Sequence, residues 1–150
     1  MKLWVNLMCA DIDAQFTFYR DMLKLPEATA SRSPIYRAVE TTDFQFGFND
    51  AKAARGLLAL EDRQPPVDGP RATTAYPTLM LDGPAEVDGA VARAIAGGGK
   101  VLKGPFATYY GQWQAVLADP EDNVFRLACS SLPPGVTAPA LAGTQSETGH

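Results

Sequence analysis

Hydrophobic and polar positions alternate at the start of the chain. Over Leu3–Cys9, Leu3, Val5, Leu7 and Cys9 fall on one face and Trp4, Asn6 and Met8 on the other, the period-two pattern of a strand with one buried side. The period then lengthens. Asp11 offers a side-chain cap, and Asp13 stands in the first turn, where a negative charge suits the helix dipole. Ile12, Phe16, Tyr19 and Leu23 follow at helical spacing. This helix is expected to end near Leu25, ahead of Pro26. Residues 34–41 and 43–49 read as two strands joined around Thr41 and Thr42, the second alternating Phe44, Phe46 and Phe48 against Gln45, Gly47 and Asn49. Residues 56–60 are expected to add a short fourth strand.

A linker at 61–74, holding Pro65-Pro66 and Asp68-Gly69-Pro70, ends this half. The order of elements then restarts. Residues 75–82 form a strand pattern with Tyr76, Thr78 and Met80 on one face and Leu79 and Leu81 on the other. Pro84 suits a first helical position, and Val87, Val91, Ala94 and Ile95 make an apolar stripe that Gly97-Gly98-Gly99 terminates. Three strands follow at 100–105, 111–118 and 123–129. The last two are joined by Asp119-Pro120-Glu121-Asp122-Asn123, with proline at the second turn position. Trp4-Val5-Asn6-Leu7-Met8 lies over Tyr76-Pro77-Thr78-Leu79-Met80 at a fixed offset, so an aromatic, a polar residue and Met recur on one face of each half. The chain therefore reads as α+β, with two βαβββ modules at about 3–60 and 75–130 in a single domain 1–130. A flexible polar tail at 131–150, with Pro133-Pro134 near its start, is expected to follow.

Composition narrows the chemistry. With 46% hydrophobic residues among 150 the chain can bury a core, and 13 basic against 17 acidic residues leave a charge of −4. No run of Lys or Arg forms a stripe to follow phosphates, so nucleic acid is not an expected partner. No stretch reaches the roughly 18 apolar residues of a membrane span. Asn6, Asp11 and Asp13 interrupt the apolar start before a signal-peptide core is complete. Cys9 and Cys129 build no disulfide framework and suit reduced cytosol, so a cytoplasmic protein without a membrane partner is expected. The one histidine, His150, is the last residue, which leaves no Ser/His/Asp or Cys/His arrangement. Gly97-Gly98-Gly99 follows a helix instead of opening one, so it is no phosphate loop. Glu40, Asp43 or Tyr76 could serve as an acid or base without a metal, but no spacing singles one out.

The paired modules carry Asp11-Ile12-Asp13 running into Phe18-Tyr19-Arg20-Asp21, Tyr110-Gly111-Gln112-Trp113 ahead of the penultimate strand, and the Asp119–Asn123 turn. Together these resemble the vicinal oxygen chelate superfamily of glyoxalases, extradiol dioxygenases, fosfomycin-resistance enzymes and bleomycin-resistance proteins over about residues 3–130. Asp122 stands where the family's Asp-Pro-x-Gly-Asn turn has Gly, and Asp tolerates a left-handed conformation. The resemblance implies a curled mixed sheet with one face under the helices and the other around a cleft. Alternation agrees, placing Leu3, Val5, Leu7, Leu79, Leu81, Phe125 and Leu127 under the helices. Trp4, Asn6, Met8, Tyr76, Thr78, Met80 and Arg126 then face the cleft. It also makes Phe44, Phe46 and Phe48 core residues, although three phenylalanines would equally wall an apolar pocket.

The resemblance further implies four metal-ligand positions, which fall on Trp4, Gly47, Tyr76 and Arg126. None is a usual ligand for zinc or a hard cation, and Arg126 would repel one, so neither a metal nor a cofactor is expected. What remains suits binding. Trp4, Tyr76, Tyr110 and Trp113, with Tyr36 beside them, offer planar faces, while Asn6, Gln45, Thr78, Gln112 and Arg126 offer polar groups to orient a ligand. The metal-free bleomycin- and mitomycin-binding members look most similar, and they are homodimers that hold a drug between aromatic rings near the dimer interface. Tyr110 falls where the mitomycin-binding type has a stacking aromatic. Arg126, between Phe125 and Leu127, either pairs with a neighbouring acid or anchors a carboxylate, phosphate or quinone-like oxygen. The expectation is a metal-free binding protein for a planar or aromatic small molecule, with antibiotic sequestration as one use and no catalytic residue. The alternatives are a lyase, isomerase or dioxygenase with a displaced or absent metal, and a vestigial interaction module.

Overall fold

Asp11 starts the first helix as its chemistry requires. In the computed structural model, which describes residues 1–66, 68 and 71–141, β1 (Leu3–Cys9) leads into α1 (Ile12–Leu23). The Asp11 carboxylate accepts the Ala14 N–H at 3.0 Å, and Lys24 closes the helix in a left-handed conformation at φ 54°. β2 (Tyr36–Glu40) and β3 (Phe44–Asp50) follow as the expected hairpin. The second half contains β4 (Thr78–Met80), α3 (Pro84–Ala96), β5 (Lys100–Ala107), β6 (Trp113–Ala118) and β7 (Val124–Cys129).

Residues 56–60 do not form the expected strand. Instead α2 (Ala51–Leu57) covers the segment, because the Asp50 carboxylate caps the Ala53 N–H at 2.9 Å ahead of Ala51-Lys52-Ala53-Ala54-Arg55, a run of strong helix formers. The expected strand at 75–82 shrinks to Thr78–Met80, since Pro77 has no N–H to donate to a ladder. Of the linker, residues 67, 69 and 70 lie outside the described residues. So do residues 142–150 of the tail, His150 among them.

The strands form two sheets, ordered β1-β3-β2 and β4-β7-β6-β5. In each, the first strand runs parallel to the last and the remaining pairs are antiparallel. The sheets show which strand the first module lacks. β1, α1, β2 and β3 correspond to β4, α3, β6 and β7, so the missing element is the counterpart of β5. Its place is taken by residues near Glu27, which make one antiparallel bridge to Val39 before a 3-10 turn at Thr29–Ser31.

Both sheets turn one face toward α1 and α3, and the core lies between them. Phe16, Tyr19 and Met22 from α1 pack with Val87, Val91 and Ala94 from α3, and with Phe46, Phe48, Leu117, Phe125 and Leu127 from the strands. The Tyr19 ring stacks on Phe48 at 5.2 Å and meets Phe46 and Phe125 edge-on, so one side chain touches both sheets. Phe46 and Phe48 are therefore core residues, and Phe44 packs against the same cluster. Leu3 departs from its expected place, since it is 61% exposed at the strand's free end.

Polar contacts tie the halves as firmly. Asp119, 3% exposed, accepts from Tyr19 Oη at 2.6 Å, from Gln15 Nε2 at 3.0 Å and from the N–H groups of Glu121 and Asn123. Asp122 takes the left-handed conformation expected of it, at φ 66°. The Glu121 carboxylate reaches the N–H groups of Ala10 and Asp11 at 2.7 and 3.1 Å, so the second half anchors the entry to α1. Cys9 and Cys129 are both buried thiols, and burial pushes Cys9 up to about 12. Among the described residues, no helix is long and apolar enough to cross a membrane.

Candidate functional site

Arg126 owes its position to its neighbours in β7. Phe125 and Leu127 are fully buried under the helices, so pleating sends the guanidinium to the opposite face. There it meets one side chain from each adjoining strand. Nε donates to Thr78 Oγ1 on β4 at 3.0 Å, and Nη1 donates to Gln114 Oε1 on β6 at 3.3 Å and to the Tyr110 hydroxyl at 3.2 Å. Tyr110 passes its own proton to Gln114 Oε1 at 2.9 Å. The turn that presents Tyr110 closes through Thr108, whose N–H donates to Gln112 O and whose Oγ1 accepts the Gln112 N–H, with Gly111 at φ 83° where a side chain would be strained.

Every acceptor around this guanidinium is a neutral oxygen. They satisfy donors and fix the plane of the group without cancelling its charge. Among the described residues Arg126 joins no ion pair, and its Nη2 makes no hydrogen bond. The salt bridge that is one reading of Arg126 is not found among the described residues. The Tyr76 ring lies 5.1 Å from the guanidinium carbon, within cation–π range, and Tyr76 and Tyr110 are 49% and 47% exposed. The result is an oriented positive charge on an open aromatic face.

The first sheet presents a different surface. Gly47 pairs with Asn6 as Arg126 pairs with Thr78, so the two halves place bare backbone and a guanidinium at corresponding points. The Tyr36 ring lies across Gly47, where a β-carbon would fall 2.6 Å from two ring carbons. Gln45 is buried and its amide is fully engaged: Oε1 accepts from Tyr36 Oη at 2.8 Å, and Nε2 donates to Glu40 Oε2 at 3.0 Å. Lys2 completes the chain with a 2.8 Å bond to Glu40, and its ammonium, followed by the Gln45 amide, holds that carboxyl below its usual range. Burial, with the Glu40 charge, raises the Tyr36 phenol. Trp4 stands beside Gln45 on β1, and Asn49 donates to Asn6 at 3.2 Å.

The structure thus brings together Tyr76, Thr78, Tyr110 and Arg126, and adds Gln114. It does not bring Trp4, Asn6 and Gln45 to them. Among the described residues no hydrogen bond, ion pair or ring contact joins the two groups. Gln112 reaches the site only through its backbone. Trp113 faces away, because it pairs with Cys129 on the core side of β6, and its indole N–H donates to Asp88 of α3 at 2.8 Å. Gln114 had a signal in the sequence: it shares the parity of Val116, the cross-strand partner of Arg126. The four metal positions implied by the family resemblance offer an indole at Trp4, bare backbone at Gly47, a phenol at Tyr76 and a guanidinium at Arg126, which do not fit a divalent ion. No group of three or more His, Cys, Asp or Glu converges elsewhere among the described residues.

Comparison with known proteins agrees with this fold. The sequence matches the family described as "Glyoxalase-like domain" over residues 4–128. Among solved structures, the chain is similar to a glyoxalase/bleomycin resistance protein/dioxygenase family enzyme from Burkholderia phytofirmans PsJN, with 35% identity and a TM-score of 0.76 over 85% of this chain and 96% of that one. A glyoxalase-related enzyme from Fulvimarina pelagi shares the fold at 18% identity and a TM-score of 0.66, covering 86% of this chain and 87% of that one. Lactoylglutathione lyase from Agrobacterium tumefaciens does so at 19% identity and 0.62, covering 86% and 92%. No curated protein matches the chain.

Proposed function

The chain belongs to the glyoxalase-like domain family, and from that premise we propose that it binds a small planar anion without a metal, on the face organised by Arg126. The observation that carries this reading is the ring of neutral oxygens from Thr78, Tyr110 and Gln114 around a guanidinium that joins no ion pair among the described residues. A charge held in this way has its best partner in a ligand carboxylate or quinone-like oxygen, which the planar donor fork would meet edge-on. Tyr76 and Tyr110 flank it with rings suited to a conjugated body.

In this reading the protein acts in the cytoplasm as a homodimer, in which the Trp4, Asn6 and Tyr36 face of one protomer closes over the Arg126 face of the other. The separation of the two groups within one chain supports it, as does the half-exposure of Trp4, Tyr76 and Tyr110. Sequestration of an aromatic antibiotic is one use of such a site. The alternative, a lyase, isomerase or dioxygenase, draws support from the enzyme label of the Burkholderia relative. Its metal-dependent form requires a tightly held stoichiometric ion, which elemental analysis of the purified protein would reveal.

Calorimetric titration with bleomycin, mitomycin and a series of quinone and phenazine carboxylates tests the proposal. Saturable binding that favours the carboxylates and is lost in Arg126→Gln is the expected result. Absence of saturable binding across the panel, or full retention in Arg126→Gln, would overturn it.

A further inference from the structure

A second groove, apart from the Arg126 face, opens where the chain leaves β1 and α2 passes beside it. Its volume is about 490 Å³, within the range of small-molecule sites, and its walls include Ala10, Ala51, Lys52 and Arg55. Among the described residues the buried Nε of Arg55 makes no hydrogen bond and its guanidinium joins no ion pair. A guanidinium cannot lose its proton to escape this situation as a buried lysine would, so the group stays charged and one donor short of a partner.

The acids along the groove leave that charge open. Asp50 is occupied as the cap of α2, accepting the Ala53 N–H at 2.9 Å. Glu61 lies exposed on the following loop, where its backbone oxygen accepts the Gln64 amide at 3.0 Å and its carboxylate makes no bond to Arg55. Lys52 sits one turn before Arg55 on the same helix face and adds a second positive charge. Two acids at the margin disfavour a dianion such as phosphate more than a singly charged group, while Ala10 and Ala51 offer an apolar wall.

We propose that this groove is a second ligand site, independent of the Arg126 face, that takes a small organic carboxylate with its charged end on Arg55 and its body against Ala10 and Ala51. Nitrogen-resolved NMR tests it directly, since the buried Nε–H of Arg55 gives its own signal. Benzoate titrated into the full chain is expected to move that signal and the Ala10 and Ala51 amides along one saturable curve. Arg55→Gln should abolish the Ala10 and Ala51 shifts, and Arg126→Gln should leave them intact. The proposal fails if the Arg55 signal in the unsubstituted protein does not move through millimolar benzoate. It fails equally if Glu61→Gln alone shifts it as far as saturating benzoate does, because Glu61 would then be its resident partner.

Discussion

The hydroxyl of Tyr19 donates to Asp119 Oδ2 at 2.6 Å, a buried bond between groups 100 residues apart that joins α1 to the turn before β7. Hydrogen bonds to charged acceptors contribute about 1.5–3 kcal/mol. Tyr19→Phe should therefore lower unfolding free energy by about that amount and keep the fold, as read by urea denaturation with unchanged circular dichroism. Burial, then the Asp119 charge, raises the Tyr19 phenol well above 10.0. The folded chain keeps this proton while the unfolded chain loses it near 10.0, so the contribution is whole below that pH and declines above it. The gap between the native protein and Tyr19→Phe should narrow as the solution becomes more alkaline.

Arg126→Lys separates charge from geometry. A lysine keeps the charge but cannot donate to Thr78, Tyr110 and Gln114 in one plane while meeting a ligand. Affinity for the carboxylates bound by the native protein should fall at least about tenfold, equivalent to about 1.4 kcal/mol, with little change in thermal midpoint. Equal affinity in the two proteins would show that the planar fork has no role.

The helix start at Asp11, the period of β1 and the outward turn of Arg126 were all legible, because each depends on neighbours within a few residues. The face of Trp113 was legible too: the tight turn pairs Ala118 with Val124, and counting back from that pair puts 113 opposite 129 on the core side. Parity, and not aromatic character, decides the face of a strand residue. The engagement of Gln45 was not legible, since its amide is used by Tyr36 and Glu40, which the hairpin register brings within reach. Nor was the separation of Trp4 from Arg126, because periodicity assigns faces within a sheet and says nothing of how two sheets face one another.

Gly47→Ala should destabilise the fold by about 1–3 kcal/mol, the usual cost of forcing atoms into filled space. The added methyl would enter the Tyr36 ring, which is held by its bond to Gln45. Tyr36→Ala removes the obstacle, so the double variant should lose less than the sum of the single losses. Additive losses in chemical denaturation would mean that the ring moves aside freely.

Acid should weaken the contact between β2 and the segment that follows α1. Arg37 donates to Glu27 at 3.1 Å and to Asp13 at 3.0 Å, with its guanidinium over the Phe16 ring. The bond from Arg37 lowers the Glu27 carboxyl below its ordinary 4.5. The unfolded chain binds the proton first as pH falls, so this stabilisation is present above 4.5 and lost below it. Glu27→Gln should lower stability at neutral pH, and its stability should fall less steeply than that of the native protein below 4.5.

Both thiols should resist modification. Cys9 and Cys129 are fully buried, and with Cys9 pushed up to about 12 almost none of it is thiolate in mildly alkaline solution. An aromatic disulfide reagent should leave both intact in the native protein and titrate both in denaturant. Rapid titration of one thiol without denaturant would mean that the core opens locally.

The turn at Asp119–Asn123 also sets the order of events during synthesis. Tyr19 and Gln15 have their acceptor in Asp119, and the entry to α1 has its acceptor in Glu121. A ribosome adding about 5–20 residues per second needs about 5–20 s to make the intervening stretch. Throughout that interval the aromatic face of α1 waits without its closing partners, exposed to chaperones and to other nascent chains. Any truncation or fusion that removes Asp119 would make that waiting state permanent.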